Sequence, residues 1–273
     1  MSKVAIVHLN NDAPAAFDHA IKLIGRIDDL NTPKRKVVIK VGVFNHKIRH
    51  HATLSVVDAI INGFNKAPQI FVTESDNYKG TGTERLQIWK TLYTERVVPF
   101  SLSEDTDTRE VQIADEKIPF SHILFKPNVF VSVHTLRKFD KGSVLKNLLG
   151  LIPDRKKVRF HKKLEATLLD AYKAVGGIDL AIIDGTYAYK GSALGDEPTR
   201  ADVLIIGKDA VAVETVGATI VGLEPKKMPV IQEAMKRGLG EGNIEKIEIR
   251  GNSVESIQER LSKKKKGTKT ADC

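Results

Sequence analysis

Short apolar runs alternate along the chain with longer segments in which apolar residues recur every three or four positions, a rhythm that predicts strands followed by helices. Val4 to Leu9 reads as a short buried strand, and Phe17, Ala20, Ile21, Ile24 and Ile27 then repeat at helical spacing. Val37 to Val43 is a β-branched run, after which Thr53 stands as the N-cap of a helix from Leu54 to Phe64. Ile70 to Thr73 predicts a third strand, and a helix carrying Leu86, Trp89 and Tyr93 follows Thr83.

Val97 to Leu102 reads as a strand, and Val111 to Ile113 with Lys117 to Pro119 as a hairpin turning at Asp115 and Glu116. Further strands are expected at Val129 to Val133, Leu180 to Ile183, Val203 to Ile206 and Ile244 to Ile249. Helices are expected at Ser143 to Leu149, Leu164 to Val175, Ala210 to Val221, Val230 to Arg237 and Val254 to Leu261. Strands separated by helices predict an α/β fold: a largely parallel sheet covered by helices on both faces, because parallel neighbours need crossovers. The hairpin would be a small antiparallel insertion. A single domain over residues 1–262 and a disordered Lys-rich tail over 263–273 complete the expected organisation.

An apolar content of 41% with 28% charged residues is that of an ordinary globular core. The one cysteine is Cys273, so the chain alone supplies neither an internal disulfide nor the ligands of an iron–sulfur cluster. That suits a reducing compartment. The apolar run starting at Val4 is too short for a signal peptide or a membrane span, so the expectation is a cytoplasmic protein with no membrane partner.

The net charge of +9 is concentrated. Between His134 and Lys163 ten basic residues face only Asp140 and Asp154. Such a patch either attracts phosphate-rich partners or forms a solvated face.

Ligands of open α/β sheets sit beyond the carboxyl ends of the strands, and the residues there are polar in this sequence. His50 and His51 are candidate metal ligands, for a divalent ion, although no zinc signature accompanies them. His134 and Asp184 follow two of the strands and are candidate acid–base groups. Gly80, Gly82 and Thr83 open a helix after a strand and are candidate anion binders, as are Lys146 and Asn147 beside the basic segment. Glu214 lies in a helix that is apolar nearly all round, so its carboxylate needs a cation, a metal or a polar cavity. Lys40, inside the buried run Val37 to Val43, is the first counter-charge to consider.

Taken in order, several of these pieces resemble the family of the domain of unknown function 362. They are Ile39-Lys40-Val41, Lys146-Asn147-Leu148-Leu149-Gly150-Leu151-Ile152-Pro153 followed by His161, Asp179 to Gly185, Asp209-Ala210-Val211-Ala212-Val213-Glu214, and Gly238-Leu239-Gly240-Glu241. They span most of the chain from Val37 to Gly251. The family's usual Lys-Thr-His element reads Val133-His134-Thr135-Leu136 here. Many members carry an added ferredoxin-like segment, so the resemblance implies that any redox role of this chain rests on a separate iron–sulfur partner protein.

Three functions follow as expectations. The first is a cytoplasmic enzyme or cofactor-handling protein that binds an anionic small molecule at the strand ends, with metal assistance as one option. A second is nucleic-acid binding through the basic segment 137–163. Against it, only Phe139 and Phe160 interleave with those charges. A redox or assembly partner is the third.

Overall fold

The computed structural model describes residues 1–46, 50–190 and 198–267. β1 (Ser2–His8) leads into α1 (Ala13–Leu23), then β2 (Val37–Val41), the short strands β3 (Val43–Asn45) and β4 (His50–His51), and α2 (Leu54–Gly63). β5 (Ile70–Glu74) is followed by α3 (Gly82–Leu86), β6 (Val97–Ser101), and the strands β7 (Thr108–Ile113) and β8 (Glu116–Ser121). β9 (Val129–Lys138), α4 (Leu164–Ala174), β10 (Leu180–Lys190) and β11 (Thr199–Gly207) come next. The chain then forms α5 (Ala210–Ile220), α6 (Pro229–Lys236), β12 (Ile247–Gly251) and α7 (Val254–Gly267).

Eight strands make one sheet in the order β12-β1-β11-β10-β9-β2-β5-β6. Neighbours are parallel throughout except at β11, which runs antiparallel to both β1 and β10. The β7–β8 hairpin stands apart from that sheet. α1 and α2 cover one face in a core containing Val7, Phe17, Ile60, Phe64 and Trp89. α4 to α7 cover the other around Phe130, Leu168, Val213, Ile231 and Ile257. The α/β architecture with a separate hairpin is the one the periodicity predicts. Among the described residues no helix is long and apolar enough to cross a membrane.

Some boundaries differ from the sequence reading, for identifiable reasons. β9 and β10 run past the apolar runs that mark them in the sequence because their C-terminal ends pair with each other, Leu136 opposite Ala188 and Arg137 opposite Tyr189, after a register shift between Asp184 and Ala188. Ladder hydrogen bonds, not hydrophobicity, decide strand length there. His134, Thr135, Arg137 and Asp184 therefore sit inside strands. The segment expected to be a helix from Ser143 is instead a turn leading into a 3-10 helix, Lys146–Leu151. At the other end, α7 continues to Gly267, so the first tail residues extend a helix. Lysine is a good helix former and favours the negative end of the macrodipole. Residues 268–273 of the expected tail lie outside the described residues.

Candidate functional site

The apolar strand β2 carries one charge, Lys40, and the structure buries it almost completely. Its Nζ lies 2.8 Å from Oε1 of Glu74, the last residue of the neighbouring strand β5. Arg85 of α3 approaches Oε2 of the same carboxylate at 3.0 Å and also donates to the carbonyls of Val43 and Ser75. Burial alone would raise the Glu74 carboxyl, but the Arg85 and Lys40 cations hold it below its ordinary value. Lys40 Nζ donates further to Asn147 Oδ1 (3.1 Å) and to the Val41 carbonyl (2.9 Å). The Asn147 amide returns hydrogen bonds to Lys40 O (2.9 Å) and Ser132 Oγ (3.1 Å). Gly150 closes the network from above: a Cβ there would lie 2.6 Å from Lys40 Nζ, so only glycine lets this backbone approach.

Glu214 serves a second buried network. Its carboxylate accepts the backbone N–H groups of Ser143 (2.8 Å) and Leu145 (2.9 Å), while Ser143 Oγ donates to Thr135 O (2.7 Å). Burial raises the carboxyl, and these N–H groups together with the Arg137 cation oppose that rise. Lys40 is thus not its partner, contrary to the sequence expectation. The lysine faces β5 and the carboxylate faces the 142–145 turn, so each charge is satisfied within its own network.

Between the two networks lies a set of cations. In the stretch Ser143 to Leu149, Lys146 alone is not buried; residues on both sides of it are pinned by Glu214 and Asn147. Its ammonium has no hydrogen bond or ion pair among the described residues, and the charges acting on it are Arg137 and Lys141. Burial, then those cations, pull its pKa down to about 7. Arg137, half-buried near the end of β9, donates from Nε (3.1 Å) and Nη2 (2.7 Å) to Gly142 O. Burial lowers its guanidinium only to about 10, so it remains a cation.

His134 packs against Gly42, where a Cβ would fall 2.4 Å from the imidazole Cδ2. The Thr135 N–H donates to its Nδ1 (2.7 Å), which makes Nδ1 an acceptor and places the proton of the neutral ring on Nε2. Burial, with Arg137, Lys40 and Lys146 nearby, pushes His134 well below its ordinary value, so it is neutral at pH 7. His161 and His50 are lowered as well, chiefly by burial, with Lys146 acting on the first and Arg137 and His51 on the second.

The other candidates are placed differently. Asp184 is fully buried, and its two oxygens accept the backbone N–H and hydroxyl of Thr53 (2.6 and 2.8 Å) and of Thr186 (2.9 and 2.6 Å). It takes over the cap at the start of α2, where the Thr53 side chain makes no cap bond of its own. Gly82 N donates to Asp76 Oδ1 (2.8 Å), Gly80 pairs with Asn77, and Thr83 Oγ1 donates to Glu104 (2.7 Å), so that loop spends these donors internally. His50 and His51, adjacent on β4, point to opposite surroundings: His50 lies 4.4 Å from the Tyr189 ring and His51 5.9 Å from Trp89. Among the described residues no three His, Cys, Asp or Glu side chains gather as metal ligands.

Part of the basic segment is also engaged within the fold. Arg159 pairs with Asp154 and, at 2.9 Å, with Glu116; Lys163 pairs with Asp115. Asp115 lies in the turn of the hairpin and Glu116 is the first residue of β8, so the hairpin docks on that face. Lys157, half-buried, donates to Ser75 Oγ (2.5 Å), and burial pulls its pKa to about 7.

A family model described as domain of unknown function (DUF362) matches residues 37–219, well over half of the chain. The chain belongs to this family. Every residue of the two buried networks and of the cation set lies inside the DUF362 match, which begins at β2 and ends in α5. Gly238-Leu239-Gly240-Glu241, part of the resemblance in the sequence, lies beyond it. Comparison with curated proteins and with solved structures gave no match.

Sequence reasoning missed the roles of Arg85, Glu74, Arg137 and Lys157. Arg137 had the clearest signal. It follows His134 and Thr135 in the same polar run after a strand, but in the sequence it is one charge of a basic segment that either attracts phosphate-rich partners or forms a solvated face.

Proposed function

We propose that the protein binds a small anionic molecule over the carboxyl ends of β2, β9 and β10, using Lys146, Arg137 and the Nε2–H of His134. One observation carries this reading: the charges acting on Lys146 are cations, while the nearby carboxylates are consumed elsewhere, Glu214 by backbone N–H groups and Glu74 by Lys40 and Arg85. A site with unbalanced positive charge in partial burial is costly when empty and favours an anion. The location agrees with where open α/β sheets bind ligands.

The same groups suit proton transfer on the bound molecule, since Lys146 is poised near neutrality and His134 is a neutral donor. This supports an enzyme more than a storage protein. A cytoplasmic setting fits a chain whose one cysteine is Cys273. The pairing of Arg159 and Lys163 within the fold favours a small anion over a nucleic acid as the partner.

The test is isothermal titration with sulfate at low ionic strength. The wild-type protein is expected to show saturable one-site binding, and Lys146→Met and Arg137→Met to lose it while keeping cooperative unfolding. Absence of saturable binding to the wild type, or its survival in both variants, would overturn the reading.

A further inference from the structure

We propose that Lys146 is a covalent nucleophile, whose amine condenses with the carbonyl carbon of a small 2-oxo acid held in the cationic site. This rests on the anion-binding reading and adds a substrate class to it.

The backbone around Lys146 is built as a mount. Ser143 and Leu145 are fixed to Glu214, Asn147 is fixed to β2 and β9, and Val144, Leu148 and Leu149 are buried in the core. Among the described residues, the Lys146 side chain leaves this mount without an attachment. A lysine whose task were to hold a turn or close a salt bridge would have an acceptor, and this one has none among the described residues. What surrounds it instead is like charge: Arg137 from β9 and Lys141 from the preceding turn. Desolvation beside another cation is the arrangement that keeps a lysine amine unprotonated and nucleophilic near neutrality.

The same surroundings select the electrophile. Arg137 stays charged and provides the counter-ion for a carboxylate, while the neutral His134 offers one donor, Nε2–H, to a carbonyl oxygen. A 2-oxo acid presents both groups on adjacent carbons. In the step, the neutral amine nitrogen attacks the carbonyl carbon, and the C=O π pair moves to oxygen, which gains a proton. The nitrogen gives up its two hydrogens as the carbinolamine loses water, leaving a C=N bond. One amine and one carbonyl yield one imine and one water, with no oxidant or reductant.

Reductive trapping tests this. The full-length protein is incubated with pyruvate and sodium cyanoborohydride at neutral pH, and the adduct is mapped by peptide mass spectrometry, with sulfate titration on the same samples. Labelling of Lys146 is expected on the order of a hundredfold faster than of exposed lysines, whose ordinary pKa near 10.4 leaves them protonated. Sulfate should suppress it, and Lys146→Arg should abolish it while still binding sulfate. Labelling spread evenly over surface lysines, with saturable sulfate binding intact, overturns the covalent role and leaves the anion site standing. Loss of both signals in folded wild-type protein overturns the two together.

Discussion

Lys40 Nζ stands 2.8 Å from Glu74 Oε1, with each side chain almost wholly withdrawn from water, so two neighbouring strands of the sheet are joined by an ion pair inside the fold. Removing one member of such a pair strands the other, at a cost of about 3–5 kcal/mol. Glu74→Ala leaves both Lys40 and Arg85 uncompensated and is expected to fall in that range. Lys40→Met leaves Glu74 its Arg85 partner and should cost less. Urea unfolding of the two variants checks the order; equal or reversed losses would mean that Arg85 does not share the carboxylate.

How much of this was legible in the sequence depends on which physical signal each feature leaves. The sheet and its helices follow from apolar periodicity, and the hairpin from Asp115 and Glu116 between two short β-prone runs. A charge in an apolar run is equally visible: Lys40 in β2 and Glu214 in α5 both stand out. Their partners do not. That Lys40 meets Glu74 depends on β5 lying beside β2 in the sheet, and strand order leaves no mark on either segment. The partner of Glu214 is a pair of backbone N–H groups, which every non-proline residue carries. Asp184 resembled an acid–base group for the same reason: its role at the start of α2 rests on contacts with Thr53, far away in sequence.

Glu214 should therefore behave as the clamp of the turn that presents Lys146. Glu214→Ala leaves the Ser143 and Leu145 N–H groups without acceptors, and two buried orphans at about 1–3 kcal/mol each give a loss of about 2–6 kcal/mol. Glu214→Gln keeps an acceptor oxygen and sheds a charge that burial penalises, so it should lose much less and retain sulfate binding. Chemical denaturation and titration of both variants check this. Equal destabilisation by Ala and Gln would show that the negative charge, rather than the acceptor, holds the turn.

Sulfate affinity should depend on pH with a definite sign. Lys146 carries its proton below about 7 and loses it above. Since sulfate itself does not titrate in this range, affinity is expected to be highest on the acid side and to weaken as pH rises through about 7. Arg137 keeps its charge throughout, so the pH dependence is carried by Lys146. Lys146→Arg, which fixes the charge, should flatten the profile. Affinity that rises with pH in the wild type would remove Lys146 from the binding site.

The unliganded protein should show the opposite trend in stability. Lys146 and Lys157 both have their pKa values pulled to about 7 in the fold, whereas the unfolded chain restores lysine to about 10.4. Between those values the unfolded state binds protons that the native state does not, so stability rises with pH across the window. Each lysine contributes at most about 1.4 kcal/mol per pH unit, the value for one whole proton, and solvent access at these half-buried groups lowers that ceiling. Below about 7 both lysines are protonated in both states and the slope disappears. Lys146→Met removes one of the two contributions, so its melting temperature should climb less steeply than that of the wild type. Saturating sulfate restores the proton on Lys146 in the folded state and should flatten the wild-type curve in the same way. Thermal unfolding from about pH 7 to about pH 9 at fixed ionic strength reads all three slopes. A wild-type melting temperature that stays level or falls, or a Lys146→Met slope equal to the wild type, would mean that this lysine is solvated and charged like any other.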